Sequence, residues 1–183
     1  MNLKSRKTKA ADYPSILDTV RAAFDEARSE EQENTDLVAH LLAVPTAKPR
    51  FSLAALLEDR MVGFILFTKV DLDPSDHDLS ASILAPLAVH PAYQNRGIGS
   101  RLVEKGLEDL KQMGVDLVFV LGHPNYYPKF GFRPAGKEGF TPPFPIPDEH
   151  AEAWMVKELR PGTLTKVLGK VQCADALQDP RYW

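Results

Sequence analysis

The spacing of apolar residues along the chain changes character several times, and each change marks an element. Residues 3–8 read as a strand. Ile16, Leu17, Val20 and Phe24 then recur at the spacing of one helical face, with Asp12 standing where an N-cap belongs. After the charged stretch DEARSEEQEN, a second short helix is expected from Thr35, with Leu37, Val38, Leu41 and Leu42 on one side. FSLAALLEDRMVGFILFTKV holds two β-rich runs around the polar EDR and reads as a hairpin. DLDPSDHD reads as a loop, and LSASILAPLAV as a strand interrupted by Pro86. Proline removes a ladder donor, so a bulge or a parting from the neighbouring strand is expected there.

From Ile98 a stripe of Leu102, Leu107, Leu110 and Met113 predicts a helix closed by Gly114, and VDLVFVL follows as an apolar run suited to a strand buried on both faces. Strand, loop, helix and strand make a βαβ unit. Leu84–Val89 and Val115–Leu121 should therefore lie parallel in one sheet. The proline-rich FRPAGKEGFTPPFPIPDEH is expected as an irregular surface excursion, because the strand-like AWMVKEL still follows it. The order of elements predicts one α/β or α+β domain over residues 1–183: a mixed sheet flanked by helices, with residues 134–183 supplying the excursion, a last strand and a tail.

Composition sharpens this only in places. The 183 residues are 44% apolar, enough for a core, and the formal charge of −3 gives no broad attraction to nucleic acid or to an anionic membrane. No apolar run approaches a membrane span or the core of a signal peptide. The one cysteine, Cys173, admits no internal disulfide, and no paired Cys/His metal spacing occurs; a reduced, cytoplasmic setting without a metal is expected.

The candidate chemistry begins in VHPAYQNRGIGSRL. Gly97 and Gly99 allow successive backbone N–H groups to face one concavity, and the following helix adds its positive end, which makes a cradle for an anion such as phosphate. A tight strand-to-helix turn is the plainer alternative. A P-loop would need GxxxxGK before Ser or Thr, and a dinucleotide fingerprint a glycine where Leu102 stands; neither is present.

LAVHPAYQNRGIGSRLV resembles the coenzyme A loop of the GNAT superfamily of N-acetyltransferases, with Gln94, Asn95, Arg96, Gly97, Ile98 and Gly99 filling its signature. NYYPKFGF is similar to a late motif of that family, in which a short helix carries a tyrosine, here Tyr127, ahead of a Gly-Phe pair. The closing AWMVKELRPGTL extends the likeness over nearly the whole chain, to a subgroup of unassigned substrate. The resemblance implies splayed parallel strands around the CoA loop and acetyl-CoA as co-substrate. Its pyrophosphate would lie on the amides of Asn95 to Gly99, with Ser100 as a hydroxyl partner and Arg96 or Arg101 adding charge. The pantetheine arm would run along Leu87, Ala88 and Val89, with the Leu87 N–H at the thioester oxygen. Asn125 is a candidate for the CoA arm or for a helix cap.

Transfer to an amine also needs a proton donor for the leaving thiolate and an acceptor for the amine's proton. The resemblance assigns the first to Tyr127, whose phenol stays protonated at neutral pH. Tyr126 is expected to pack elsewhere. The glutamate that some relatives carry before the CoA loop is missing from SASIL, which leaves the base open between His123, Glu33 and a water chain. The expected function is acetyl transfer from acetyl-CoA to a primary amine on a small molecule or protein. The alternative is a non-catalytic acyl-CoA sensor or interaction module. The acceptor's identity and a homodimer both stay open.

Overall fold

In the computed structural model, which describes residues 3–24, 31–74 and 78–183, the two apolar runs around Glu58 form the expected hairpin. Its strands are β2 (Phe51–Leu57) and β3 (Arg60–Asp73), and Glu58 and Asp59 both take positive φ, 50° and 65°. Such a turn matches the twist of the strands it joins. β1 (Leu3–Lys7) pairs on the outside of β2, and β4 (Ala81–Val89) pairs antiparallel with the other side of β3. β5 (Leu117–Leu121) then lies parallel to β4 and is followed in the sheet by β8 (Trp154–Glu158) and the two-residue β6 (Arg133–Pro134). β9 (Gly169–Cys173) pairs with β3 beyond the end of β2, and with β7 (Phe140–Thr141).

Alternation along the strands divides the core in two. Phe64, Leu66 and Phe119 face α1 (Tyr13–Phe24) and α2 (Glu31–Ala43), meeting Ile16, Val20, Val38 and Leu41. Ile65, Phe67, Val118 and Val120 face α3 (Ile98–Gln112), meeting Leu102 and Leu110. Because both faces are covered, β3 and β5 read as nearly unbroken apolar runs. Gly106 lets α3 lie close on the sheet: a Cβ there would stand 2.6 Å from the Phe67 ring.

Several expectations are corrected. Asp12 does not cap α1; it ends a 3-10 turn, where its carboxylate accepts from the Lys9 N–H at 2.7 Å and from Arg6 at 2.7 and 2.9 Å. α2 begins at Glu31, before Thr35, while most of the charged stretch ahead of it and Ser75–His77 of the loop after β3 lie outside the described residues. Met113 leaves the buried stripe and is 52% exposed, because the helix has ended. The proline-rich excursion is not confined to the surface: Phe140 is buried edge-on to Phe119, with centroids 5.1 Å apart. β9 falls in a stretch read as tail. Among the described residues no helix is long and apolar enough to cross a membrane.

The parallel pair lies earlier along β4 than the expected Leu84–Val89, sharing only Leu84 with it, and is pinned at one end. Pairing runs only from Ala81–Leu84 against Leu117–Val120. At the foot of the pair the buried Asp116 accepts from the Ser80 N–H at 2.8 Å and from Arg160 at 2.7 Å. At the other end the two strands separate.

Candidate active site

The separation starts at Pro86. Along β4 the pairing with β3 jumps from Leu84, opposite Phe67, to Leu87, opposite Ile65, so Ala85 and Pro86 together face one residue. Proline has no N–H to give the ladder, and a bulge turns the strand locally. Past the bulge Leu87–Val89 stay paired with β3, while β5 stops at Leu121 and the Gly122 N–H turns away to the Ala153 carbonyl at 2.9 Å. Among the described residues, the edge of β4 facing β5 is therefore without a strand partner beyond Leu84.

The loop that follows closes this gap from above. Gln94 Nε2 donates to the Val89 carbonyl at 3.0 Å, which folds the chain back over the strand end. Asn95 and Gly97 take left-handed φ of 58° and 76°, and Gly97 caps α3. The first amide to bond inside the helix is that of Arg101, to the Gly97 carbonyl at 3.1 Å. The N–H groups of Ile98, Gly99 and Ser100 have no intrahelical acceptor and point out of the helix end, where the dipole is positive.

The opposite wall comes from NYYPKFGF. It forms a 3-10 turn, Tyr127–Phe130, rather than an α-helix, with Pro128 in its first turn and Gly131 ending it at φ 87°. Tyr127 is buried, its ring edge-on to Tyr126 at 5.1 Å and to Phe132 at 5.6 Å, and packed against Gly122, where an added Cβ would overlap it. Burial, followed by the nearby Tyr126, pushes the Tyr127 phenol well above its ordinary value. Cys173 is unsuited to be a nucleophile, since burial pushes its thiol up to about 12.

These walls enclose a cleft of ≈ 1200 Å³. Of the residues singled out from sequence, it brings together Leu87, Val89, Gln94, Asn95, Gly97, Ile98, Gly99, Ser100, His123 and Tyr127, with Glu33 across from the loop. Four lie off its walls, among them Arg101, which is exposed. Ala88 turns its side chain into the core on the α1 and α2 face, leaving only its backbone near the cleft. Arg96 lies over the Tyr93 ring, 5.6 Å from its centroid, and Asn125 is exposed.

Other cleft residues escaped the sequence reading. Tyr126 does not simply pack: burial raises its phenol against the opposing effect of a hydrogen bond with Ser100, and Lys129 lies 4.0 Å over its ring while donating to Ser100 Oγ at 3.0 Å. The signal was present, because residues three apart share a face of a 3-10 turn. No local signal pointed to the far wall, where Arg181, Tyr182 and Trp183 join Phe24, Glu33 and Leu37. Trp183 is held edge-on to Trp154 at 5.6 Å and donates from Nε1 to the Leu177 carbonyl at 2.9 Å; Arg181 lies 3.7 Å from Glu33.

A parallel pair parted at its carboxyl end, with a helix N-terminus closing the gap, is the arrangement that the family resemblance implies. Residues 4–135 match the family model described as an acetyltransferase (GNAT) domain, and the chain belongs to the GNAT acetyltransferase family. It is 47% identical over 171 residues, 92% of this chain and 90% of the relative, to YjhQ, an uncharacterized N-acetyltransferase of Escherichia coli strain K12. Among solved structures it resembles the GNAT family N-acetyltransferase YhbS of Escherichia coli in complex with CoA, with a TM-score of 0.84 and 28% identity over 97% of this chain and 92% of that one. A GNAT family acetyltransferase of Brucella melitensis in complex with acetyl-CoA shares the fold, with a TM-score of 0.75 and 24% identity over 96% of this chain and 97% of that one.

Proposed function

We propose that the protein transfers the acetyl group of acetyl-CoA directly to a primary amine. The observation that carries this reading is that the unpaired edge of β4, the free amides of α3 and the Tyr127 ring line one cavity. The CoA complexes of the solved relatives support acetyl-CoA as the co-substrate. The amides of Ile98, Gly99 and Ser100 suit the pyrophosphate, and Lys129, bonded to Ser100, adds a positive charge at the same place. Leu87–Val89 offer a strand edge to the pantetheine amides.

In the reaction the neutral amine attacks the thioester carbonyl carbon, and the oxygen gains negative charge, which a backbone N–H at Leu87 would stabilise. As the C–S bond breaks, Tyr127 gives its proton to the departing sulfur. A phenol pushed up by burial is a weaker acid, but a thiolate forming in the same cleft is raised by the same cause, so the match survives. The amine's surplus proton leaves through His123, at the mouth of the cleft, or through water, and Tyr127 is reprotonated by the same route.

The test is a panel of amines offered with acetyl-CoA to the purified protein, reading free thiol. Thiol release that depends on the amine is the expected result. Acetyl-CoA binding without turnover on any amine would favour an acyl-CoA sensor instead.

A further inference from the structure

A second cavity, of ≈ 730 Å³, shares no lining residue with the cleft among the described residues. It lies under the ends of β1 and β2 and reaches Met113, at the far end of the 15-residue α3 from the glycine loop, about 22 Å along the helix axis. Three features set it apart. Its titratable walls are cationic, from Lys7, Lys9 and Arg50, with no carboxylate among the described residues that line it, although the chain as a whole carries −3. The neighbouring carboxylate, Asp12, is already held by Arg6 and the Lys9 N–H.

The second feature is Arg50 itself. Its Nη1 is buried and has no hydrogen-bond partner among the described residues. A guanidinium nitrogen withheld from water and from any acceptor is an unfavourable arrangement for a folded chain, and an acceptor oxygen entering the cavity would relieve it. The third feature is apolar. Only three large hydrophobic side chains among the described residues are exposed, and two of them, Tyr13 (41%) and Met113 (52%), border this cavity, with Phe51 in its wall beneath Lys7.

We propose that this cavity binds a small organic anion, a carboxylate or phosphate monoester carried on an apolar body about the size of an aromatic ring. Arg50 and Lys9 hold the anion, while Tyr13, Phe51 and Met113 cover the body. The ligand is separate from acetyl-CoA and from the amine, since among the described residues the two cavities have no wall in common.

Methyl NMR of the full chain labelled at methionine locates the event, because Met113 borders this cavity whereas Met155 lies in the core. Phenyl phosphate and phenylacetate are titrated separately, with inorganic phosphate and phenethylamine as comparisons. The expected result is a saturable shift of the Met113 signal with one or both aromatic anions, the tighter of the two identifying the anion, and none with phenethylamine. Arg50→Gln and Lys9→Gln should each weaken binding at least about tenfold. Arg50→Gln should keep its thermal midpoint, because the native nitrogen has no partner to lose; if that variant fails to fold, Lys9→Gln decides. No Met113 shift with either anion up to about 10 mM, or equal affinity in the folded variants, would overturn the proposal. Inorganic phosphate binding as tightly as phenyl phosphate would overturn the apolar part of it.

Discussion

The Tyr126 hydroxyl stands 2.8 Å from the point where a side chain at Gly99 would begin. A methyl group there must push the phenol off the helix end that it shares with Ser100. Gly99→Ala is therefore expected to weaken acetyl-CoA binding at least about tenfold, or 1.4 kcal/mol, by calorimetry. Adding Tyr126→Phe, which removes the colliding oxygen, should restore part of the loss. Gly97 is different: no atom lies within 4 Å of its hypothetical Cβ, but its φ is +76°. Gly97→Ala should cost about 1–2 kcal/mol through the backbone, with no relief from Tyr126→Phe.

Tyr127→Phe keeps the ring packing and removes the hydroxyl. Turnover should fall on the order of 10²-fold with little change in acetyl-CoA affinity, and the defect should shrink with a thioester of a more acidic thiol. Equal rates with chemistry rate-limiting would remove Tyr127 as the acid. The same variant has a stability signature. An unfolded tyrosine ionises near 10, whereas burial keeps the folded phenol protonated to higher pH. Stability is thus whole below about pH 10 and declines as pH rises from there toward the folded pKa; Tyr127→Phe should flatten that decline in urea titrations.

His123→Ala should leave the acetyl-CoA dissociation constant nearly unchanged while moving the acidic limb of the rate profile. An unmoved limb with undiminished turnover would make His123 structural.

Asp12 carries an acid-side prediction. The hydrogen bond from Arg6, with that from the Lys9 N–H, lowers its carboxyl from 3.8 to about 2. The folded form prefers the ionised group, so its contribution is present above pH 3.8 and lost as pH falls through about 2. Asp12→Asn should lower the urea midpoint at pH 7 and narrow the gap to the parent as pH falls toward 2.

The hairpin, the helices and the parting at Pro86 were legible because each is written locally: a period of two or of 3.6, two turn residues, one missing N–H. The coenzyme A assignment came from the family likeness of QNRGIG and NYYPKFGF, where the residues alone indicated only an anion cradle. Tyr126 was misread because an α-helical period was assumed where Pro128 and Gly131 leave room for only a 3-10 turn. Arg181 and Trp183 were out of reach for another reason: Asp179 holds Arg181 locally, but the approach of Arg181 to Glu33 and of Trp183 to Trp154 depends on partners far away in the chain, and no local pattern encodes such a meeting.

One edge of β3 is built end to end from two pieces: β2 covers Arg60–Phe67, and β9 covers Val70–Asp73 with residues about a hundred positions later. A chain cut short ahead of Gly169 would keep the whole glycine loop and Tyr127, yet its longest strand would finish in bare amides and carbonyls. Such a row is a template for another chain. Apart from the loss of the far wall of the cleft, truncation would then bring self-association, seen as light scattering that grows with protein concentration.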